Sequence, residues 1–269
     1  MNFSTFNPYD ALQRTAWRRR FQALYQANHQ FITYDPTNIK TVPRTLPATG
    51  VQIRVALCLN RPEPHDGENG HGEGLVFKNL LYHCTVRARP YTAQHMLVYC
   101  DTLRQEEFGL HQLELLLKLG AAYGSHYELF YNGVAPTWEK LHFQVIQRAT
   151  TIWDANNLKA WPAHVEGFES VRLDDIASQV LRRLEEHRAK GHASDILVYF
   201  DGVREHVLLI PRQRGATRPP NELGAPTNFG TVGCLEMAGL WLANKHAEAF
   251  NVVAENPALY EQALRLLSI

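Results

Sequence analysis

Apolar residues recur with two periods along the chain, and the clearest stretch of period two lies in its middle. Residues 127–148, YELFYNGVAPTWEKLHFQVIQR, hold two alternating runs around Asn132-Gly133, which predicts a strand, a turn and a second strand. Successive side chains of a strand point to opposite faces, so Lys140, His142 and Gln144 share one face, and Leu141, Phe143 and Val145 the other. A cation, a base and an amide thus stand in a row. Pattern alone leaves two readings open: a hairpin whose polar row meets water, or a row that does chemistry.

Helical spacing appears on either side. Asp10 can cap a helix running to about residue 29, with Leu12, Trp17, Phe21, Leu24 and Tyr25 as its apolar stripe. Helices are also predicted over 106–122, over 173–190 with Gly191 as the stop, and over 259–267 behind the Asn256-Pro257 start. Strands are predicted over 51–59, 75–86, 94–100, 195–200 and 206–210. Residues 34–50 carry three prolines and little periodicity, which predicts an extended surface arm whose backbone must pair elsewhere. Strands grouped in hairpins, with helices between the groups, indicate an α+β fold with a mostly antiparallel sheet and flanking helices. One domain over 1–269 is expected: an N-terminal helix and arm (1–50), a core (51–150) and a C-terminal half (151–269).

Composition narrows the function classes. A chain of 269 residues, 45% hydrophobic, belongs to the globular class. Its 27 basic residues balance 27 acidic ones, so no global field draws it to nucleic acid or an anionic membrane, while small anionic ligands stay open. Cys58, Cys84, Cys100 and Cys234 stand apart with no Cys-x-x-Cys pair, which argues against a zinc ribbon or a disulfide framework and fits a reducing cytoplasm. The N-terminus lacks a signal-type apolar core, and no segment approaches the roughly 20 apolar residues of a membrane span. His65 and His71 fall in a Gly-rich polar stretch that reads as a loop rather than a metal site.

A neutral imidazole on a strand, beside a loop of Gly and small polar residues, suits attack on a phosphoanhydride. FYNG followed closely by LHFQ resembles the histidine-triad superfamily, in its branch of galactose-1-phosphate uridylyltransferases and diadenosine tetraphosphate phosphorylases. That branch carries His-x-His-x-Gln on a strand; the corresponding positions are Lys140, His142 and Gln144, with lysine in place of the first histidine. CLNRPEP from Cys58 resembles the branch's Asn-Arg-Pro segment. PYTAQHMLVYCDTLRQ from Pro90 resembles its Pro-x-His-x-Leu strand and following Gln, with His95 as the strand histidine. PRQRGATRPP, and TVGCLEMAGLWLANKHAEAF after it, are similar to its basic Pro-Arg loop and its Asp-Met-Gly-Gly type strand, here Glu236, Met237, Ala238 and Gly239.

The resemblance implies a histidine-triad-like fold and a nucleotide phosphorylase or nucleotidyltransferase. His142 would attack the α-phosphorus of a dinucleoside polyphosphate or nucleoside diphosphate sugar, and phosphate or a sugar phosphate would then take the nucleotide. No cofactor is implied. Gln144 would bind phosphate and Lys140 would act as a point cation. Asn132, Gly133 and Thr137 would cradle oxygens by amide and hydroxyl donors, Arg212, Arg214 and Arg218 would meet the polyphosphate tail, Asn60 and Arg61 would lie near the nucleotide, and His95 would belong to the same nucleotide- and phosphate-binding set. Two departures suggest an alternative, a catalytically degenerate nucleotide-binding or protein-interaction member of the same fold. Pro136 and Trp138 stand where the family has Gly-Ala-Ser, and the histidine of the uridylyltransferase zinc site is Lys140 here, so no structural zinc is expected.

Overall fold

Period-two alternation and helical stripes become a computed structural model that describes residues 2–58, 72–134, 138–215, 232–244 and 254–269. Asp10 accepts the amides of Leu12 and Gln13 and starts helix α1 (Ala11–Ala27). The proline-rich arm is more ordered than its composition suggests. Its residues Lys40–Thr45 form β1, paired antiparallel with β2 (Gln52–Cys58), which satisfies the backbone that the prolines leave. The run over 75–86 is a hairpin, β3 (Glu73–Phe77) and β4 (Leu80–Val86). Lys78 and Asn79 turn it with φ of 46° and 66°, the left-handed pair of a two-residue hairpin loop.

β5 (His95–Arg104) precedes helix α2 (Leu110–Tyr123), which begins later than its apolar spacing predicts because a 3-10 turn and Gly109 intervene. The central pair is β6 (Tyr127–Tyr131) and β7 (Lys140–Gln147), with Phe130 opposite Gln144. A short helix α3 (Ala155–Lys159) follows, then β8 (Glu166–Ser170), a strand that the sequence pattern did not flag. Helix α4 (Leu173–Ala189) leads into the hairpin β9 (His192–Phe200) and β10 (Glu205–Gln213). The Glu236-Met237 stretch is not strand but the helical turn α5 (Cys234–Met237). The chain extends only from β11 (Leu240–Asn244), and α6 (Pro257–Leu267) closes the fold.

Among the described residues the strands form two sheets. The larger has the order β3-β4-β5-β7-β6-β9-β10-β8 and the smaller β1-β2-β11. Every pairing in the larger sheet is antiparallel, so alternate residues of each strand line one face. One face, with Val98, Phe143 and Val198, buries α1, α2 and α4 through Phe21, Leu116 and Val180. On the opposite face, Phe130, Ile146 and Leu197 pack against Ile53 of the small sheet and Tyr260 of α6. That face continues toward β4 with a different character: Leu81 is 49% exposed, Asp101 is exposed, and Tyr99 and Lys140 are half-buried. His142 stands where the covered part meets this open part.

Candidate functional site

Alternation along β7 places Lys140, His142 and Gln144 on one face, as the pattern predicts, with Leu141, Phe143 and Val145 in the core behind. Across β5, Tyr99 lies opposite His142 and Leu97 opposite Gln144. Phe130 of β6 lies opposite Gln144, so the chain leaves β6 at Asn132 beside His142.

The His142 ring is fixed. Its Nδ1 lies 2.9 Å from the carbonyl oxygen of Lys140; a carbonyl only accepts, so Nδ1 carries the proton and Nε2 the lone pair. The residue is 4% exposed. Burial pushes its pKa below the ordinary 6.5, the Lys140 carbonyl opposes that, and the charge of Arg87 adds to the lowering. An imidazole neutral at pH 7 with a directed Nε2 lone pair is the form a nucleophile needs.

Gln144 is oriented from behind. The amide of Tyr91 donates to Nδ1 of His95 at 3.3 Å, which leaves the proton on Nε2, and that nitrogen meets Gln144 Oε1 at 3.1 Å. With its oxygen taken, Gln144 keeps the NH₂ as donor for a ligand. His95 itself is fully buried, and through this contact it sets the Gln144 amide.

Gln105 holds the site together, and sequence reading quoted it only as the glutamine after the His95 strand. Its Oε1 accepts the His142 amide at 3.0 Å, its Nε2 donates to the Asn132 carbonyl at 3.1 Å, and its own carbonyl accepts the Tyr131 hydroxyl at 2.7 Å. A buried side chain thereby ties the exit of β6 to the entry of β7.

Several expected roles change in place. The amides of Gly133 and Val134 turn inward to the Asp195 carboxylate, Val134 at 3.3 Å, instead of facing outward as a phosphate cradle. A Cβ on Gly133 would stand 2.1 Å from the Ser194 carbonyl oxygen, so glycine is required there for close packing. Arg212 is also interior. It is 0% exposed, donates to Asp195 at 3.1 Å and to the Val232 carbonyl at 3.0 Å, and so braces that loop from inside. Burial pushes the Asp195 carboxyl up, while Arg212 and the two amides favour its charged form. Arg214 is exposed in the turn after β10. The Lys140 ammonium pairs with Asp101, which holds that carboxyl low and the lysine high; its carbonyl, rather than its charge, serves His142. Asn60, Arg61, Thr137 and Arg218 lie outside the described residues, as do His65, His71 and Pro136.

Trp138, just before β7, stands 5.7 Å from the His142 ring centre and 5.0 Å from that of Tyr99. Among the described residues no group of three or more His, Cys, Asp or Glu gathers as metal ligands, and all four cysteines are free thiols in the interior. Among the same residues no helix is long and apolar enough to cross a membrane.

No family model and no curated protein sequence matches this chain. Its fold is similar to that of yeast Ap4A phosphorylase Apa2: 14% identity, TM-score 0.68, covering 94% of this chain and 97% of that one. The crystal structure of the yeast protein with AMP gives TM-score 0.64 at 14% identity over 95% and 96% of the two chains, and that with Ap4A gives 0.68 at 14% over 94% and 97%. At this identity the likeness is one of fold, an α+β arrangement of a large antiparallel sheet with flanking helices.

Proposed function

We propose that the chain is a nucleotide phosphorylase or nucleotidyltransferase acting through His142 on a dinucleoside polyphosphate or a nucleoside diphosphate sugar. The observation that carries this reading is the tautomer. Nδ1 is bound to the Lys140 carbonyl, burial favours the neutral ring, and the Nε2 lone pair shares a sheet face with the oriented NH₂ of Gln144. The likeness in fold to a protein crystallised with AMP and with Ap4A supports the ligand class.

In the first step the Nε2 lone pair bonds to the α-phosphorus while the bond from phosphorus to the bridging oxygen breaks, that oxygen keeping the electron pair. Gln144 donates to a phosphate oxygen as charge builds. In the second step an oxygen of phosphate or of a sugar phosphate attacks the same phosphorus, and the electron pair returns to Nε2. No oxidation occurs, so no redox cofactor enters.

A second reading, a degenerate nucleotide-binding or protein-interaction member of the fold, draws support from two diverted groups. The Lys140 ammonium is engaged by Asp101 and the Gly133 amide by Asp195, so two expected donors are spent on the protein itself. Covalent labelling separates the two. Radiolabelled Ap4A without phosphate is expected to leave an acid-labile nucleotide on the wild type and none on His142→Ala, with added phosphate discharging the label. Nucleotide bound equally by both proteins, with no label and no turnover, selects the second reading.

A further inference from the structure

We propose that a cleft at the small sheet, separate from the surroundings of His142, binds a small oxyanion, a phosphate ester or a short carboxylate, whether or not His142 transfers nucleotides. One face of the small sheet forms its floor. Thr41 lies opposite Ala56 and Leu240 opposite Arg54, so alternation puts these four side chains on one face; Ala56 and Leu240 are buried, Thr41 and Arg54 exposed. The arm at Pro36, the 91–93 segment before β5 and residues 147–149 at the end of β7 close the other sides around about 240 Å³. Clefts for drug-sized ligands hold about 300–1,000 Å³, so this one suits a small molecule and not a dinucleoside polyphosphate. Gln147 stands five residues beyond His142 on β7, about 16 Å along the strand.

Charge selects the ligand. Among the described residues that line the cleft, Arg54 and Arg148 carry charge and no Asp or Glu stands with them. Arg54 spends one of its N–H groups on the Ala149 carbonyl at 3.0 Å, and the Arg148 guanidinium lies 4.3 Å from the centre of the Tyr199 ring; neither makes an ion pair among the described residues. Ala149 follows Arg148 in the chain, so the first contact brings the Arg54 guanidinium to the segment that carries Arg148. That segment is fixed from behind. The buried Glu128 carboxylate accepts the amides of Ala149 and Thr150 and the Trp153 indole, each at 2.8 Å, so its charge is met by those donors. Two guanidinium groups with N–H donors to spare raise a local positive potential that an oxyanion relieves. Their planar forks match phosphate or carboxylate oxygens, and the Gln147 amide and Thr41 hydroxyl add neutral donors on the same lining. The apolar floor of Ala56 and Leu240 takes the carbon part of the ligand.

The test is calorimetric titration of the full chain with inorganic phosphate and with succinate, at an ionic strength held constant with sodium chloride. Binding of at least one is expected, about tenfold weaker in Arg54→Gln and in Arg148→Gln and unchanged in Gln144→Ala, which alters only the surroundings of His142. Tighter binding of phosphate assigns the cleft to phosphate esters, and tighter binding of succinate to carboxylates. Circular dichroism checks each variant for folding. Arg54→Gln loses the contact with the Ala149 carbonyl; Arg148→Gln breaks no side-chain hydrogen bond among the described residues and carries the test if the first variant does not fold. No binding of either probe, binding that survives both arginine substitutions, or binding abolished by Gln144→Ala overturns the site, the last by placing the anion beside His142.

Discussion

At the scale of single residues, the environment of His142 sets a pH expectation. Its folded pKa lies below 6.5, with burial as the first cause, so the neutral ring persists as pH falls through 6.5 and is lost only below that value. The expected kcat/KM profile stays level through pH 6.5 and drops only at lower pH; a midpoint above 6.5 contradicts the assignment. Stability follows the same sign: the unfolded histidine takes its proton first, so the contribution is full above 6.5 and fades as pH falls through the folded value. Gln105 gives a second test. Gln105→Leu takes from the buried His142 amide its acceptor, at about 1–3 kcal/mol, and from the Asn132 carbonyl the Gln105 donor. Urea unfolding should detect that loss, and an unchanged midpoint would deny Gln105 its bracing role. His142 and Gln144 were legible because alternation within one strand fixes a shared face. Gln105 was not, because its partnership with His142 spans 37 positions and leaves no periodic trace. The inward turn of the Gly133 amide was equally hidden, since its acceptor, Asp195, lies on another strand.

At the scale of elements, local chemistry named most strands and helices and misjudged how they end. Asp10 and Gly191 work as start and stop signals because caps act within a turn of where they stand. The arm over 34–50 is predicted as an extended surface arm whose backbone must pair elsewhere, and β1 finds that partner in β2 across a short connection; prolines count against strands but not against an edge strand, and β1 is an edge. β8 is also an edge, five residues long with half-buried and exposed positions, too weakly patterned to announce itself. The turn between α5 and β11 shows tertiary packing deciding a boundary. Gly239 has φ 91°, and a Cβ there would lie 2.3 Å from Thr151 Oγ1 and 2.7 Å from the Trp161 ring. Gly239→Ala is therefore expected to cost about 1–3 kcal/mol, read as a lowered thermal midpoint; wild-type stability in this variant would mean that the turn relaxes freely.

At the scale of the whole molecule, the large sheet carries buried carboxylates of opposite fortunes. Glu128 is satisfied by the amides of Ala149 and Thr150 and by the Trp153 indole, whereas neither oxygen of Glu205 has a hydrogen-bond partner among the described residues. Burial raises the Glu205 pKa well above 4.5, and Asp201 adds to the rise. A raised carboxyl contributes stability fully below the unfolded value and loses it as pH climbs, because the unfolded chain ionises while the fold keeps its proton. Glu205→Gln removes that titration. Above pH 4.5 the wild type should lose about 1.4 kcal/mol per pH unit relative to the variant, up to the folded pKa; parallel stability curves for the two proteins would contradict it.

What the sequence determined by itself was whatever repeats at short range: the strand and helix periods, the caps, the α+β class and the row of Lys140, His142 and Gln144. Those follow from geometry that one strand or one helical turn enforces. Only the tertiary structure decided which face of that row is open, that the Lys140 carbonyl sets the His142 tautomer while Asp101 takes the ammonium, and that Arg212 faces the interior. Each of those depends on partners brought together by strand order, and strand order is set by how whole sheets bury their faces, not by any neighbour along the chain.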